Sequence, residues 1–76
     1  MPPNKDQLRS GLAYYAAHLS PADVDTLVQR MDGWNFRRLE RFAEDAVRRF
    51  VSGLDLAMLE ASEPPLPGVE DYLAAL

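Results

Sequence analysis

Seventy-six residues make one domain at most, and a composition of 47% hydrophobic and 26% charged residues is that of a folded chain rather than a disordered one. With no cysteine and one histidine, His18, the chain excludes disulfides, thiolate metal sites and a metal centre built on histidines. No apolar run approaches the ~20 residues of a membrane span and the first residues are polar, so a cytoplasmic chain is expected, while a net charge of −4 argues against nucleic acid as a partner.

Met1-Pro2-Pro3 is a stiff lead-in. Asn4 followed by Gln7 has capping-box spacing, in which each side chain satisfies the other's backbone donor. Leu8, Leu12, Tyr15, Ala16 and Leu19 then recur at helical intervals, which predicts a first helix over Lys5–Leu19. Ser20-Pro21 starts the second, with serine as cap and proline where a missing donor costs nothing. Its buried stripe is Val24, Leu27, Val28 and Met31, the predicted helix is Ala22–Met31, and Gly33 is expected to take the left-handed conformation behind it.

Asn35 caps the third and longest helix, which Gly53 ends. Its apolar positions are Phe36, Leu39, Phe42, Ala43, Ala46, Val47 and Phe50, and the stripe of Phe36, Phe42 and Phe50 is expected in the core. Arg41–Asp45, Glu44–Arg48 and Asp45–Arg49 have the spacing of intrahelical ion pairs. Leu54–Leu59 is short, apolar and helix-prone. Residues 62–67 are a proline-rich link, and after Gly68 a last helix carries Val69, Tyr72, Leu73 and Leu76 on one face. The expectation is a compact all-α bundle of four to five helices over residues 1–76.

Charge is unevenly spread. Five of the eight basic residues (Arg37, Arg38, Arg41, Arg48 and Arg49) lie within thirteen positions, whereas Gly53–Leu76 holds five acids and no base. Catalytic machinery is thin. Ser20 beside His18 is a helix cap with no third group to orient it, His18 is a surface or boundary residue, and there is no phosphate-cradling GxxxxGK[ST] loop. No catalytic residue and no metal site is expected in this chain.

Leu19–Val51 carries the most specific pattern. Asp25, Leu27, Val28, Met31, Asp32, Gly33 and Trp34, followed by Leu39, Phe42, Ala43, Ala46 and Val47, resemble the paired helices of the C-terminal lid of AAA+ ATPases. Pro3–Arg9 is loosely similar to that lid's opening "P-D-x-x-x-R", with the arginine one place late. Gly68–Leu76 looks like its closing "T-x-x-D-F-x-x-A-L", with Gly68 in place of the threonine. The resemblance implies a lid that closes over ATP and Mg2+ bound by an N-terminal nucleotide-binding αβ domain of the same chain, within a homo-oligomer such as a hexamer, with no nucleotide bound by the lid alone.

That resemblance makes Gly33, Trp34, Asn35 and Phe36 the turn nearest the nucleotide. It departs from the AAA branch, which has Ser-Gly-Ala-Asp where this chain has Asn35-Phe36-Arg37-Arg38. Arg37 falls where other AAA+ branches place the second-sensor arginine, with Arg38 as the neighbouring candidate about 100° around the helix. Each arginine has a simpler reading as part of a solvated helix face, and Trp34 as a plug closing the turn rather than a contact to adenine. Two alternatives have other functions: a helix-turn-helix nucleic-acid module opened by Arg37 and Arg38, or a small helical adaptor.

Overall fold

Asparagine, serine and asparagine open the three longest helices, each for the same reason: a short side-chain oxygen can reach a backbone donor that the first helical turn leaves unpaired. The computed structural model describes residues 1–76 and contains α1 (Lys5–Tyr15), α2 (Pro21–Val28), α3 (Phe36–Ser52), α4 (Leu56–Leu59) and α5 (Val69–Ala74), with no strand. Asn4 and Gln7 form the expected reciprocal box, with both bonds at 2.9 Å. Ser20 accepts from the Asp23 amide at 3.2 Å, and Asn35 from the Arg38 amide at 2.8 Å. Gly68 has no side chain to offer, so α5 keeps half a box: Asp71 accepts from the Gly68 amide at 2.8 Å.

Two helices, α1 and α5, each pack against both α2 and α3, so the four close into a ring of contacts. The core is Leu8 and Leu12 of α1, Val24, Leu27 and Val28 of α2, Leu39, Phe42 and Ala46 of α3, and Tyr72 of α5, completed by Ala16, Met31 and Trp34 from the connections. Gly11 lets α1 and α3 approach: a Cβ there would sit 2.8 Å from Leu39 Cδ2 and 3.4 Å from Phe36 Cε1. An aromatic line runs through the bundle, Trp34 on Phe42 at 5.3 Å, Phe42 on Tyr72 at 5.9 Å and Tyr72 beside His18 at 6.2 Å.

Several boundaries and contacts differ from expectation. α1 stops at Tyr15 rather than Leu19, because Ser20 must be extended before Pro21 and the chain has to reverse first; Leu19 still packs against the core. α2 begins one residue early and stops at Val28. Its last turn tightens, with Arg30 bonding back to Leu27 and Met31 to Val28, so Met31 is buried without being helical. Phe36 is 50% exposed and Val47 40%, so neither is core, and Phe50 is half-buried. The bundle covers α3 only as far as Ala46, and both residues lie on the flank of its buried stripe.

None of the three predicted four-residue ion pairs on α3 forms; Asp45 bonds Arg48 instead, at three-residue spacing and 3.0 Å. The ion pairs that join elements were not foreseen. Arg9 lies between Asp25 of α2 and Asp6 of its own helix, the latter at 2.6 Å, and these two carboxylates, Asp25 first, raise its pKa. Lys5 reaches Asp32 and Gln29, both at 3.3 Å.

Tyr72 is wholly buried and its hydroxyl has no hydrogen-bond partner. Burial, and then the neighbouring Asp71 carboxylate, raise its pKa above the ordinary 10.0, so the fold holds the neutral phenol. With the folded value raised, that stability is fully present below about pH 10 and is lost as pH climbs through the elevated value. Tyr72→Phe should therefore leave urea stability unchanged or raise it by up to ~1–2 kcal/mol, and should remove this alkaline loss. Tyr72→Ala should cost ~3–5 kcal/mol. A phenylalanine variant weaker by more than ~1 kcal/mol would show that the hydroxyl has a partner.

Candidate functional site

The connection of residues 29–35 decides where α3 begins and which way its first side chains leave the bundle. Two of its residues are buried, Met31 fully and Trp34 at 7% exposure. Gly33 between them adopts φ +76, the left-handed region that only glycine enters without strain, as its position predicted. The Trp34 amide then bonds back to the Met31 carbonyl at 3.2 Å. The turn folds around its own apolar residues.

Trp34 is the plug. Its ring meets the edge of Phe42, and the Arg38 guanidinium lies over it, 4.2 Å from the ring centroid. Such a stacked cation stabilises the pair by about 0.5–1 kcal/mol at an exposed site. Arg38 is thereby occupied within its own domain, and Trp34 presents no open face to a ligand.

Arg37 is different. It is exposed, has no ion-pair partner within salt-bridge distance and, one residue earlier on the helix, points about 100° away from Arg38. It shares one shallow surface depression with Asn35, Arg38 and Arg41, and a second with Glu40, Arg41 and Glu44. Asn35 spends its side chain on the third amide of α3, so the amides of Phe36 and Arg37 have no intrahelical acceptor. The dipole of a seventeen-residue helix adds partial positive charge at the same end.

Beside this cationic end lies a further depression formed by two helix starts together. Met1, Pro2, Pro3 and Asn4 line it from the lead-in with Gln7 of α1, and Asn35 and Phe36 from the cap and first residue of α3. α1 packs on α3 at Gly11, and exposed Lys5 contacts to Gln29 and Asp32 link the start of α1 to the 29–35 turn. Half-exposed Phe36 gives it an aromatic wall.

Of the residues singled out from sequence, Asn35, Phe36 and Arg37 come together on one open surface. Gly33 shapes the turn beneath it and Trp34 is turned into the domain, while Arg38 covers the Trp34 ring and stays exposed beside Arg37. Sequence reasoning missed the contribution of Lys5 and Asn4, because nothing in their spacing says that the two helix starts meet. His18 lies at the other side of the aromatic line, its Nε2 2.6 Å from the Pro67 carbonyl oxygen, tying the link before α5 to the α1–α2 connection. No group of three or more acidic or histidine side chains converges to hold a metal, and no helix is long and apolar enough to cross a membrane. No family model, curated protein or solved structure matches this chain.

The division of labour between the adjacent residues is measurable by urea unfolding. Trp34→Ala should lower stability by ~3–5 kcal/mol, the range for removing a buried tryptophan. Arg38→Ala should cost no more than about 1 kcal/mol, and Arg37→Ala should have no measurable effect. An Arg37 variant as destabilised as the tryptophan variant would contradict the placement of that guanidinium in solvent.

Proposed function

We propose that this chain is the helical lid of an AAA+-type ATPase, closing over ATP held by a separate nucleotide-binding αβ domain and coupling its hydrolysis to motion of a homo-oligomer. One observation carries the reading: the starts of α1 and α3 share a depression that adjoins, through Asn35, a second one lined by Arg37, Arg38 and Arg41, none of them in an ion pair. The resemblance in sequence assigns a nucleotide-proximal role to the second of these segments, the turn Gly33–Phe36, and likens the lead-in Pro3–Arg9 to the lid's opening.

The residues present suit a nucleotide triphosphate. Arg37 offers a guanidinium for charge-assisted bonds to a terminal phosphate, at a helix end that already favours anions. Phe36 and the proline lead-in offer apolar surface beside it, suited to a base or ribose. Arg38 already stacks on Trp34 whereas Arg37 has no such contact, which favours Arg37 for the sensor role. In this reading the attacking water's activation, the phosphate-cradling loop and the Mg2+ ligands belong to the αβ domain. The chemistry ATP supplies is phosphoanhydride cleavage. What this chain contributes is a positive charge on a rigid body that can rotate about its connection to the rest of the protein. Work inside a cytoplasmic machine fits a chain with no membrane-crossing helix.

No observation favours the helix-turn-helix alternative. Its helices pack on each other across a turn of three to four residues, whereas α2 and α3 here are joined by the longer stretch 29–35 and are not a principal packed pair.

The decisive test uses the full open reading frame that contains this chain. It should encode GxxxxGK[ST] and an acidic Walker-B strand on the N-terminal side. In that protein, Arg37→Ala should cut ATP turnover by about 10–100-fold, the scale of one lost charge-assisted contact to a phosphate, while Arg49→Ala stays within about twofold. Equal effects of the two substitutions, or a reading frame without the nucleotide-binding motifs, would overturn the assignment.

A further inference from the structure

Few bonds hold α5 to the bundle. The helix has six residues, its cap position is Gly68 with no side chain to offer, and none of its carboxylates forms an ion pair. A single hydrogen bond ties residues 65–76 to the other elements, from His18 Nε2 to the Pro67 carbonyl oxygen at 2.6 Å. The rest is apolar burial, complete for Pro67 and Tyr72 and partial for Val69, Leu73 and Ala75. α5 lies across α2 and α3, with Tyr72 against Phe42 and near His18. Because the Tyr72 hydroxyl finds no partner there, seating α5 also carries a desolvation cost.

The chain leading to α5 does not dictate which bundle it sits on. From Asp55 through Pro64 every residue is exposed, and α4 within this stretch forms no principal contact with another helix. The stretch from Gly53 to Gly68 can span up to ~50 Å when extended. That exceeds the 44 Å length of the whole molecule. Pro64, Pro65 and Pro67 keep its last part from coiling into a helix. The same α5 contacts are therefore within reach on the home bundle or on a neighbour's.

We infer that α5 is an exchangeable element, which docks across α2 and α3 of a second copy of this chain so that each bundle is completed by the other's Tyr72. The seat itself names the occupant. It is already filled by α5 at one register, down to the His18–Pro67 bond, and a second copy supplies the same helix with the same fit. The exchange is reciprocal, closes by two-fold symmetry and needs no new complementary surface. Since closed and exchanged forms share their seat contacts, concentration decides between them. A flexible link holds its own helix at an effective concentration in the mM range, so exchange prevails only near or above about 1 mM chain. The inference does not rest on the nucleotide reading, because neither α5 nor its link lines the depressions beside Arg37.

Refolding the 76-residue chain from urea at two concentrations tests it. After refolding at about 2 mM, size-exclusion chromatography should resolve a dimer, and after refolding at about 10 µM it should show monomer alone. The isolated dimer, diluted to the lower concentration, should persist through the column and revert to monomer only when mild urea frees α5. The chain has no cysteine, so introduced ones report which residues become neighbours. Chains carrying His18→Cys and chains carrying Pro67→Cys, refolded together at the higher concentration and oxidised, should form a mixed disulfide. Its yield should clearly exceed that of a control pair in which exposed Arg49→Cys takes the place of His18→Cys. Both cysteine variants remove the His18–Pro67 bond, and the wild-type chromatography stands without them. No dimer after refolding at the higher concentration, a dimer that dissociates at once on dilution, or a mixed disulfide no more abundant than the control would each overturn the proposal. Immediate dissociation would place the contact on the outer surfaces of two closed bundles.

Discussion

The seating of Trp34 in the turn between α2 and α3 is the constraint on which the rest of this domain depends. A connection of seven residues could leave α3 free to enter at many angles. Burying Met31 and Trp34, with Gly33 in the left-handed region between them, removes that freedom. Once the indole lies against Phe42 and beneath Arg38, the first turn of α3 has one orientation. Arg38 is laid over the indole while still exposed, and Arg37, a hundred degrees around the helix, has no such contact. Two arginines adjacent in sequence thus differ in one contact, the stacking on Trp34.

The same seating propagates in two directions. Through Phe42 it reaches Tyr72, and so ties the C-terminal helix into the core. A six-residue helix would not persist alone in water, and α5 exists because Tyr72 is wholly buried against α2 and α3. On the other side α1 packs on α3 at Gly11, with Lys5 adding exposed contacts to Gln29 and Asp32 of the turn, and so two helix starts meet at one surface. In a domain this small, few contacts are spare. The arm from Asp55 to Pro64 is the exception, with apolar side chains that the bundle does not use.

Much of this was legible in the sequence, and what was legible was local. Asn4, Ser20, Asn35 and Gly53 mark helix ends by chemistry that acts within four residues, and each marks an end in the structure. Gly33 announced its left-handed backbone for the same reason. What could not be read is what depends on neighbours far along the chain. Phe36 and Phe42 are equally apolar, yet only Phe42 faces α5, whereas Phe36 sits on the flank beside Gly11. Arg9 and Asp25 are sixteen residues apart and pair because α1 and α2 pack. On α3 the four-residue spacing suggested pairs that the side chains do not form, since exposed ion pairs contribute too little to fix long rotamers. Of the candidate site, the segment could be named from sequence, but the choice between Arg37 and Arg38 required the stacked indole.

The chain has one tryptophan, which makes the central constraint directly observable. Acrylamide quenching of Trp34 fluorescence, compared between native buffer and urea, reports whether that ring is covered. A seated indole predicts blue-shifted native emission and quenching several-fold slower than in the unfolded chain. Emission and quenching in native buffer equal to those in urea would mean that Trp34 is in solvent. The turn would then not fix α3, and the separation of Arg37 from Arg38 would have no structural basis.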